Sequence, residues 1–111
     1  MDISQDFVAA EGIRICYKEK EGGLEIARTY LYLLYNDLHG EPFGFMEDVY
    51  VDESFRGRGI GSLLVEKVIE EARSRGCYKL ICTSRHTKPD VHELYKKLGF
   101  TDHGLEFRID F

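Results

Sequence analysis

A glycine-rich segment in the middle of the chain constrains its fold more than any other feature. Residues 54–65 read SFRGRGIGSLLV, with Gly57, Gly59 and Gly61 crowded in front of an apolar run. A chain that leaves an apolar strand near Val51 and enters a helix just after three glycines presents free backbone N–H groups at the helix start. Because those groups carry partial positive charge, this order of strand, glycine-rich turn and helix favours phosphate binding.

Hydrophobic periodicity predicts the elements on either side of that segment. Alternation from Ile13 to Lys18 predicts a first strand, and the turn Glu21-Gly22-Gly23 joins it to a second strand over 24–35. A third strand is predicted over 43–51. The long helix after the glycines should end near Gly76, and its apolar stripe is expected to consist of Leu64, Val65, Val68, Ile69 and Ala72.

The last third of the chain predicts three further elements. A short apolar strand is expected over 78–83, followed by a second helix that Pro89 and Asp90 open, with Asp90 and Glu93 resembling a capping box. Alternating apolar residues over 105–111 predict a final strand. The predicted order is β-β-β-α-β-α-β, without repeats or flexible linkers.

Length and composition limit the class of protein. The 111 residues suffice for one domain, expected to span 1–111 with a short N-terminal segment over 1–12. A net charge of −5 disfavours bulk attraction to nucleic acid or to an anionic membrane, and we expect neither as a partner. No apolar window approaches the roughly 20 residues of a membrane span, and the start, MDISQDF, lacks the apolar region of a secretory signal.

Three cysteines, Cys16, Cys77 and Cys82, are scattered without the spacing of a metal site. We therefore predict reduced thiols in a cytoplasmic protein and no bound metal. Cys82, inside an apolar run, is expected to be a buried small hydrophobic residue.

Two common phosphate-binding motifs fit the glycine-rich segment poorly. A P-loop requires Gly-Lys-Ser/Thr, which is absent, and the dinucleotide fingerprint GxGxxG would place Ser62 where its third glycine belongs. A nucleotide-binding α/β domain is therefore disfavoured. A glycine-rich turn that binds nothing stays open as the structural alternative.

A third motif fits closely. Arg56-x-x-Gly59-x-Gly61 matches R/Q-x-x-G-x-G/A, and the chain resembles the GCN5-related N-acetyltransferases over about residues 13–111. The segment YKKLGF at 95–100 resembles a common ending of that family. The stretches 47–49 and 76–79 are similar to its glucosamine-phosphate acetyltransferase branch.

The resemblance implies a single-domain α/β fold, in which two helices pack on a mixed, mainly antiparallel sheet. It also marks a departure, because members of the family normally begin with a strand and two helices. Only twelve residues precede Ile13, so we expect these elements to be lacking here. The acceptor site would then be open, reduced, or completed by another chain.

The same resemblance implies transfer of an acetyl group from acetyl-CoA to a primary amine by direct attack in a ternary complex. The pyrophosphate would lie on backbone N–H groups of the glycine-rich loop, and the pantetheine arm would run along residues 49–51. Asp90 stands where many members have an asparagine that contacts CoA. The implied cofactor-binding residues are Val49, Tyr50, Val51, Arg56, Gly57, Arg58, Gly59, Ile60, Gly61, Ser62 and Asp90.

Three side chains are candidates for the chemistry. The resemblance assigns protonation of the leaving thiolate to Tyr95; the alternative is that Tyr95 only belongs to the apolar stripe of its helix. Glu47 is the preferred general base, directly or through water, and Asp48 is the second candidate. In a regular strand these two would point to opposite faces. Alternatively, one of them forms a structural ion pair with Arg14, Arg28 or Arg108.

The two histidines of this region are weaker candidates. His92 is expected to be a solvated surface residue, and His86 lies in a loop that should border the cofactor.

Two further hypotheses concern activity and assembly. A CoA-binding regulatory or interaction module without turnover is the alternative to an enzyme. The second strand, with apolar residues on both faces from Tyr30 to Tyr35, predicts cover on both sides. We therefore expect a homodimer. The acceptor amine belongs to a small molecule or to a protein, and a large protein acceptor could instead provide the cover.

Overall fold

A four-stranded sheet organises the chain in the computed structural model, which describes residues 1–111. Its strands are β1 (Glu11–Lys18), β2 (Glu25–Leu34), β3 (Phe43–Val51) and β4 (Leu80–Ile81), and they lie in that order. The first three are antiparallel, whereas β4 pairs with β3 in parallel. Two helices, α1 (Ile60–Ser74) and α2 (Pro89–Lys97), and a 3₁₀ turn over Glu53–Phe55 complete the fold. This mixed, mainly antiparallel α/β architecture agrees with the prediction.

Helix α1 covers one face of the sheet and forms the core with it. Its predicted stripe is confirmed, because Leu64, Val65, Val68 and Ala72 are buried and Ile69 packs beside them. The sheet contributes mainly Leu31, Leu33 and Met46. As predicted, Gly76 terminates the helix with a φ of 79°, a backbone conformation that glycine adopts readily.

The opposite face of the sheet, called here the open face, has no helix over it. Arg14 lies opposite Tyr30 on β1 and β2, and Tyr30 stacks with Tyr32 at 6.1 Å between ring centroids. Neighbouring β3 places Glu47 opposite Tyr30 and Tyr50 opposite Arg28. The residues of the open face therefore include Arg14, Arg28, Tyr30, Tyr32, Glu47 and Tyr50.

The predicted final strand is wrong. Residues 98–111 contain no strand, and their apolar side chains are 66% to 116% exposed at Leu105, Phe107, Ile109 and Phe111. A strand requires hydrogen bonds from a neighbour. Here the adjacent edge strand β4 is only two residues long, shorter than the predicted 78–83. The last residues, called here the C-terminal segment (101–111), therefore stay unpaired.

The predicted cap of the second helix is also wrong. Helix α2 begins at Pro89, its N-cap is Lys88, and no side chain caps it. Proline is favoured at the first helical position because its φ is already helical and it has no N–H to satisfy. Asp90 consequently lies inside the first turn instead of in front of it. Neither helix has the length and apolar character that crossing a lipid bilayer requires.

Candidate functional site

Strand β3 carries a bulge at its two acidic residues. Tyr30 pairs with Glu47 and Arg28 pairs with Tyr50, so Asp48 and Val49 together oppose the single residue Thr29. Asp48 has a φ of 56°, the left-handed region that few non-glycine residues adopt. Because of this bulge, the prediction that Glu47 and Asp48 point to opposite faces is wrong: both carboxylates lie on the open face.

The ion pairs distinguish these two carboxylates. Arg28 donates to Asp48 Oδ2 at 3.2 Å, while Arg14 pairs with Glu25 at 2.6 Å. Arg108 pairs with its neighbours in the C-terminal segment. Glu47 forms no ion pair and is exposed. The alternative of a structural ion pair therefore applies to Asp48, and Glu47 has no cationic partner.

Thr29 supports the bulge from the buried side, and sequence reasoning missed it. Its side chain is fully buried, and its hydroxyl donates to the Glu47 carbonyl at 3.1 Å. The available signal was a single hydroxyl residue in the otherwise apolar row of β2 that also contains Ala27, Leu31 and Leu33.

The start of α1 presents unpaired backbone donors. Gly59 is the N-cap with a φ of 80°, and no side chain caps this end. The first N–H that bonds back to the loop is that of Leu63, which donates to the Gly59 carbonyl at 3.1 Å. The N–H groups of residues 60–62 therefore have no backbone acceptor. Gly57, with a φ of 79°, also requires a conformation that other residues rarely adopt.

The two arginines of the glycine-rich loop contact neighbouring rings and backbone. Arg56 donates from Nε to the Val51 carbonyl at 2.9 Å, and its guanidinium lies 5.6 Å from the Tyr50 ring centroid. Arg58 lies 5.2 Å from the centroid of Phe55. The hydrogen bond of Arg56 therefore links the end of β3 to the glycine-rich loop. The side chains of Arg56 and Arg58 are both exposed.

Strands β3 and β4 separate soon after they meet. They pair only through Gly44 with Leu80 and Phe45 with Ile81, although β3 continues for six more residues. This outer edge of β3, up to Val49–Val51, therefore has no strand beside it. Val51 packs against a cluster that includes Ile60 and Leu64 of α1. The open edge of β3 consequently leads to the uncapped start of the helix.

Tyr95 lies on α2 at the border of the core. It packs against the main core cluster, with its ring 5.4 Å from that of Phe100. Burial, together with the neighbouring Cys82, raises the pKa of the Tyr95 hydroxyl to about 12. Burial alone raises the pKa of the Cys82 thiol to about 11. Tyr95 is thus part of the apolar stripe, and its hydroxyl is neutral at pH 7.

A groove of about 680 Å³ separates β4 and α2 from the C-terminal segment. Tyr95, Cys82, His86 and His92 are among the residues that line it. His92 is partly buried, and its Nε2 donates to the Arg85 carbonyl at 2.8 Å, so it is not the solvated residue that the sequence predicted. Asp90, in the first turn of α2, is exposed. No group of three or more potential ligand residues is placed to hold a metal ion.

Comparison with known proteins identifies the family. A family model described as the acetyltransferase (GNAT) family matches residues 7–100. The chain belongs to this family. A GNAT domain accounts for the glycine-rich loop and the helix after it, as the resemblance of Arg56-x-x-Gly59-x-Gly61 implied.

Named relatives and a solved structure agree with this assignment. The chain is 42% identical over 71 residues to a glucosamine 6-phosphate N-acetyltransferase of Trypanosoma brucei brucei, covering 64% of this chain and 46% of that protein. It is 32% identical over 84 residues to a thialysine N-epsilon-acetyltransferase of Sus scrofa, covering 76% and 49%. A crystal structure of a Trypanosoma brucei acetyltransferase matches with a TM-score of 0.81 and 32% identity, covering 90% of this chain and 69% of that one. The chain therefore spans about half the length of these two named relatives.

Proposed function

We propose that this GNAT domain transfers an acetyl group from acetyl-CoA to a primary amine, by direct attack of the amine in a ternary complex. One observation carries the proposal: the unpaired edge of β3 leads directly to an uncapped helix start, with a neutral tyrosine on the neighbouring helix α2. The named relatives, all N-acetyltransferases, support the same reaction class.

The residues present fit acetyl-CoA. A helix start with three unpaired N–H groups and two positive-φ glycines suits a pyrophosphate, because the backbone can approach the anion closely. Arg56 and Arg58 add positive charge at the rim. The edge at Val49–Val51 offers backbone amide groups to a pantetheine arm. When bound, acetyl-CoA supplies an activated acetyl thioester.

The chain's own residues divide the proton transfers. Glu47, unpaired and exposed on the open face, accepts the proton that the acceptor ammonium must lose, directly or through water. Tyr95, neutral at pH 7, donates its hydroxyl proton to the leaving sulfur. The second proton that the attacking nitrogen loses as the amide forms returns to the Tyr95 oxygen, directly or through water. Asp48 does not act as the base in this scheme, because Arg28 holds its carboxylate.

The acceptor amine is expected on the open face, which carries Glu47. The relatives named for glucosamine 6-phosphate and thialysine make these two amines the first acceptors to test. Other amino sugars, amino acids, polyamines and protein amines complete the panel.

A thiol assay on the purified chain tests the proposal. We expect release of free CoA that depends on acetyl-CoA, on one amine of the panel and on Tyr95. Thermal stabilisation by acetyl-CoA without release of CoA with any amine would favour the alternative, a CoA-binding regulatory or interaction module. Stabilisation by neither CoA nor acetyl-CoA would contradict both.

We further propose a homodimer, with residues 1–111 as one domain in each subunit. The C-terminal segment supports it, because four apolar side chains alternate along its sequence and are exposed. Antiparallel pairing of two such segments about Phe107 would set Arg108 opposite Glu106 of a second copy, a favourable cross-strand pair. A cytoplasmic, reducing location is proposed because all three cysteines are free thiols.

A further inference from the structure

The strained backbone of β3 at Asp48 is held between two side chains of β2. Thr29 donates its hydroxyl to the Glu47 carbonyl at 3.1 Å on the covered side of the sheet. Arg28, the residue before it, donates to the Asp48 carboxylate at 3.2 Å on the open side. The two contacts bracket the one residue with an unfavourable φ, and both come from adjacent positions in the neighbouring strand.

Of the two contacts, the hydrogen bond of Thr29 is the more costly to lose, because the hydroxyl is buried. Thr29 is fully buried, and it is the polar residue of the core. A buried hydroxyl is stabilising only when it is hydrogen-bonded, and its partner is the carbonyl that immediately precedes the bulge. An apolar residue would fill the same space in this row, as Ala27 and Leu31 do on either side. The hydroxyl is therefore explained by the bulge and not by packing.

We propose that Thr29 is a positioning residue, whose hydroxyl locks the β3 bulge and thereby keeps Glu47 and Asp48 together on the open face. Without the bulge, β3 would alternate regularly, and consecutive carboxylates would point to opposite faces. One of the two would then point toward α1 and its apolar side chains. The lock selects the arrangement in which Glu47 faces the solvent and Asp48 reaches Arg28.

This inference rests on the proposed function only for its effect on catalysis, because the effect of Thr29 on the backbone of β3 does not depend on any activity. In an active enzyme, loss of the lock should displace Glu47 and lower kcat by roughly 10- to 100-fold, because small errors in the position of a reacting group reduce rates strongly. The KM for acetyl-CoA should rise as well, because the same bulge sets the register of Val49–Val51, the proposed path of the pantetheine arm.

A matched pair of substitutions tests the lock. Thr29→Val replaces the hydroxyl by a methyl group of similar size, whereas Thr29→Ser keeps the hydroxyl. In the NMR spectrum, a positive φ gives Asp48 a strong contact between its own Hα and HN. We expect T29V to weaken that signal and T29S to retain it. An unchanged signal in T29V would overturn the proposal, whether or not the chain proves to be an enzyme.

A second measurement applies where T29V is too unstable for spectroscopy. Asp48→Gly removes the side chain that resists a positive φ, so the bulge no longer needs to be held. We expect T29V to lower the midpoint of urea unfolding less in the D48G background than in the wild-type chain. Equal losses in both backgrounds would overturn the lock, because they would mean that Thr29 acts independently of residue 48.

Discussion

At the residue scale, two adjacent carboxylates of the same chemistry occupy different electrostatic environments. Asp48 is neutralised by Arg28, whose guanidinium also lies 4.7 Å from the centroid of Tyr50, whereas Glu47 has no cationic partner. A group that must accept a proton repeatedly works best when no neighbouring cation stabilises its charged form. The presence of Arg28 beside Asp48, and the absence of a cation beside Glu47, therefore favour Glu47 as the proposed base more strongly than the difference between Glu and Asp does.

Glu47→Gln should lower kcat/KM and remove the acidic limb of its pH profile. The amide keeps the size of the side chain but cannot accept a proton, so the activity should no longer depend on pH along this limb. Asp48→Asn is the matched control and should retain the limb. Loss of the limb in D48N instead of E47Q would exchange the roles of the two residues.

Tyr95→Phe should retain the affinity for acetyl-CoA and lower kcat by about 10²–10⁴-fold, the range typical of a lost general acid. The phenyl ring preserves the packing against Phe100, so the loss would come from the hydroxyl. Calorimetric titration gives the affinity and the thiol assay gives the rate. An unchanged kcat would remove Tyr95 from the proposed reaction.

The same tyrosine makes a prediction about stability at high pH. Its pKa is about 10 in an unfolded chain and about 12 in the fold, so between these values the unfolded state binds fewer protons. Stability from the neutral hydroxyl is therefore complete below pH 10 and is lost as pH rises through 12. The urea midpoint of Y95F should fall less over this window than that of the wild type. Cys82 titrates in both chains, so parallel curves would contradict the raised pKa.

Sequence reasoning found the acidic pair and the tyrosine but not the geometry that separates Glu47 from Asp48. The bulge depends on a hydrogen bond from Thr29, nineteen positions earlier than Asp48, and strand alternation alone contains no sign of it. His92 was misjudged for a similar reason, because its partner, the Arg85 carbonyl, lies in a loop whose path periodicity does not predict.

At the scale of elements, the strands and helices that bury an apolar face followed directly from the sequence. Helix α1 shows this best, since its stripe and its terminating glycine both appear as predicted. The prediction of a final strand was wrong because alternation of apolar and polar residues shows only that a segment is able to form a strand. Whether it becomes one depends on a neighbouring edge, and β4 offers two residues. The start of α2 shifted because the proline at its first position outweighed the capping pattern of Asp90.

Among the features at this scale, the junction between β3 and α1 should be the most sensitive to substitution. Gly59→Pro should abolish measurable binding of CoA in calorimetry, because proline cannot adopt the φ of 80° and removes an N–H from the loop. Gly40→Ala, in an uncrowded loop, is the control and should bind normally. Full affinity in G59P would place the cofactor elsewhere.

At the scale of the whole molecule, the proposed dimer would cover the exposed apolar side chains of the C-terminal segment. Sedimentation at micromolar concentration should give twice the formula mass of 12.9 kDa. Phe107→Asp should return the protein to the monomer, because it buries a charge at the centre of the proposed pairing. Leu38→Asp, at another exposed apolar residue outside the segment, should remain dimeric. A wild-type monomer would contradict the dimer and favour a protein acceptor as the cover of the second strand.

The uncapped start of α1 also links folding to metabolism. A helix that lacks its own cap is less stable until something else occupies the N–H groups of its first turn. On the proposed function, CoA does so, and a ligand at a hundred times its Kd stabilises a fold by about 2.7 kcal/mol, equivalent to about a hundredfold fewer unfolded chains. Cells process unfolded chains by proteolysis. The lifetime of this protein would therefore lengthen when coenzyme is plentiful and shorten during starvation, without any dedicated regulator.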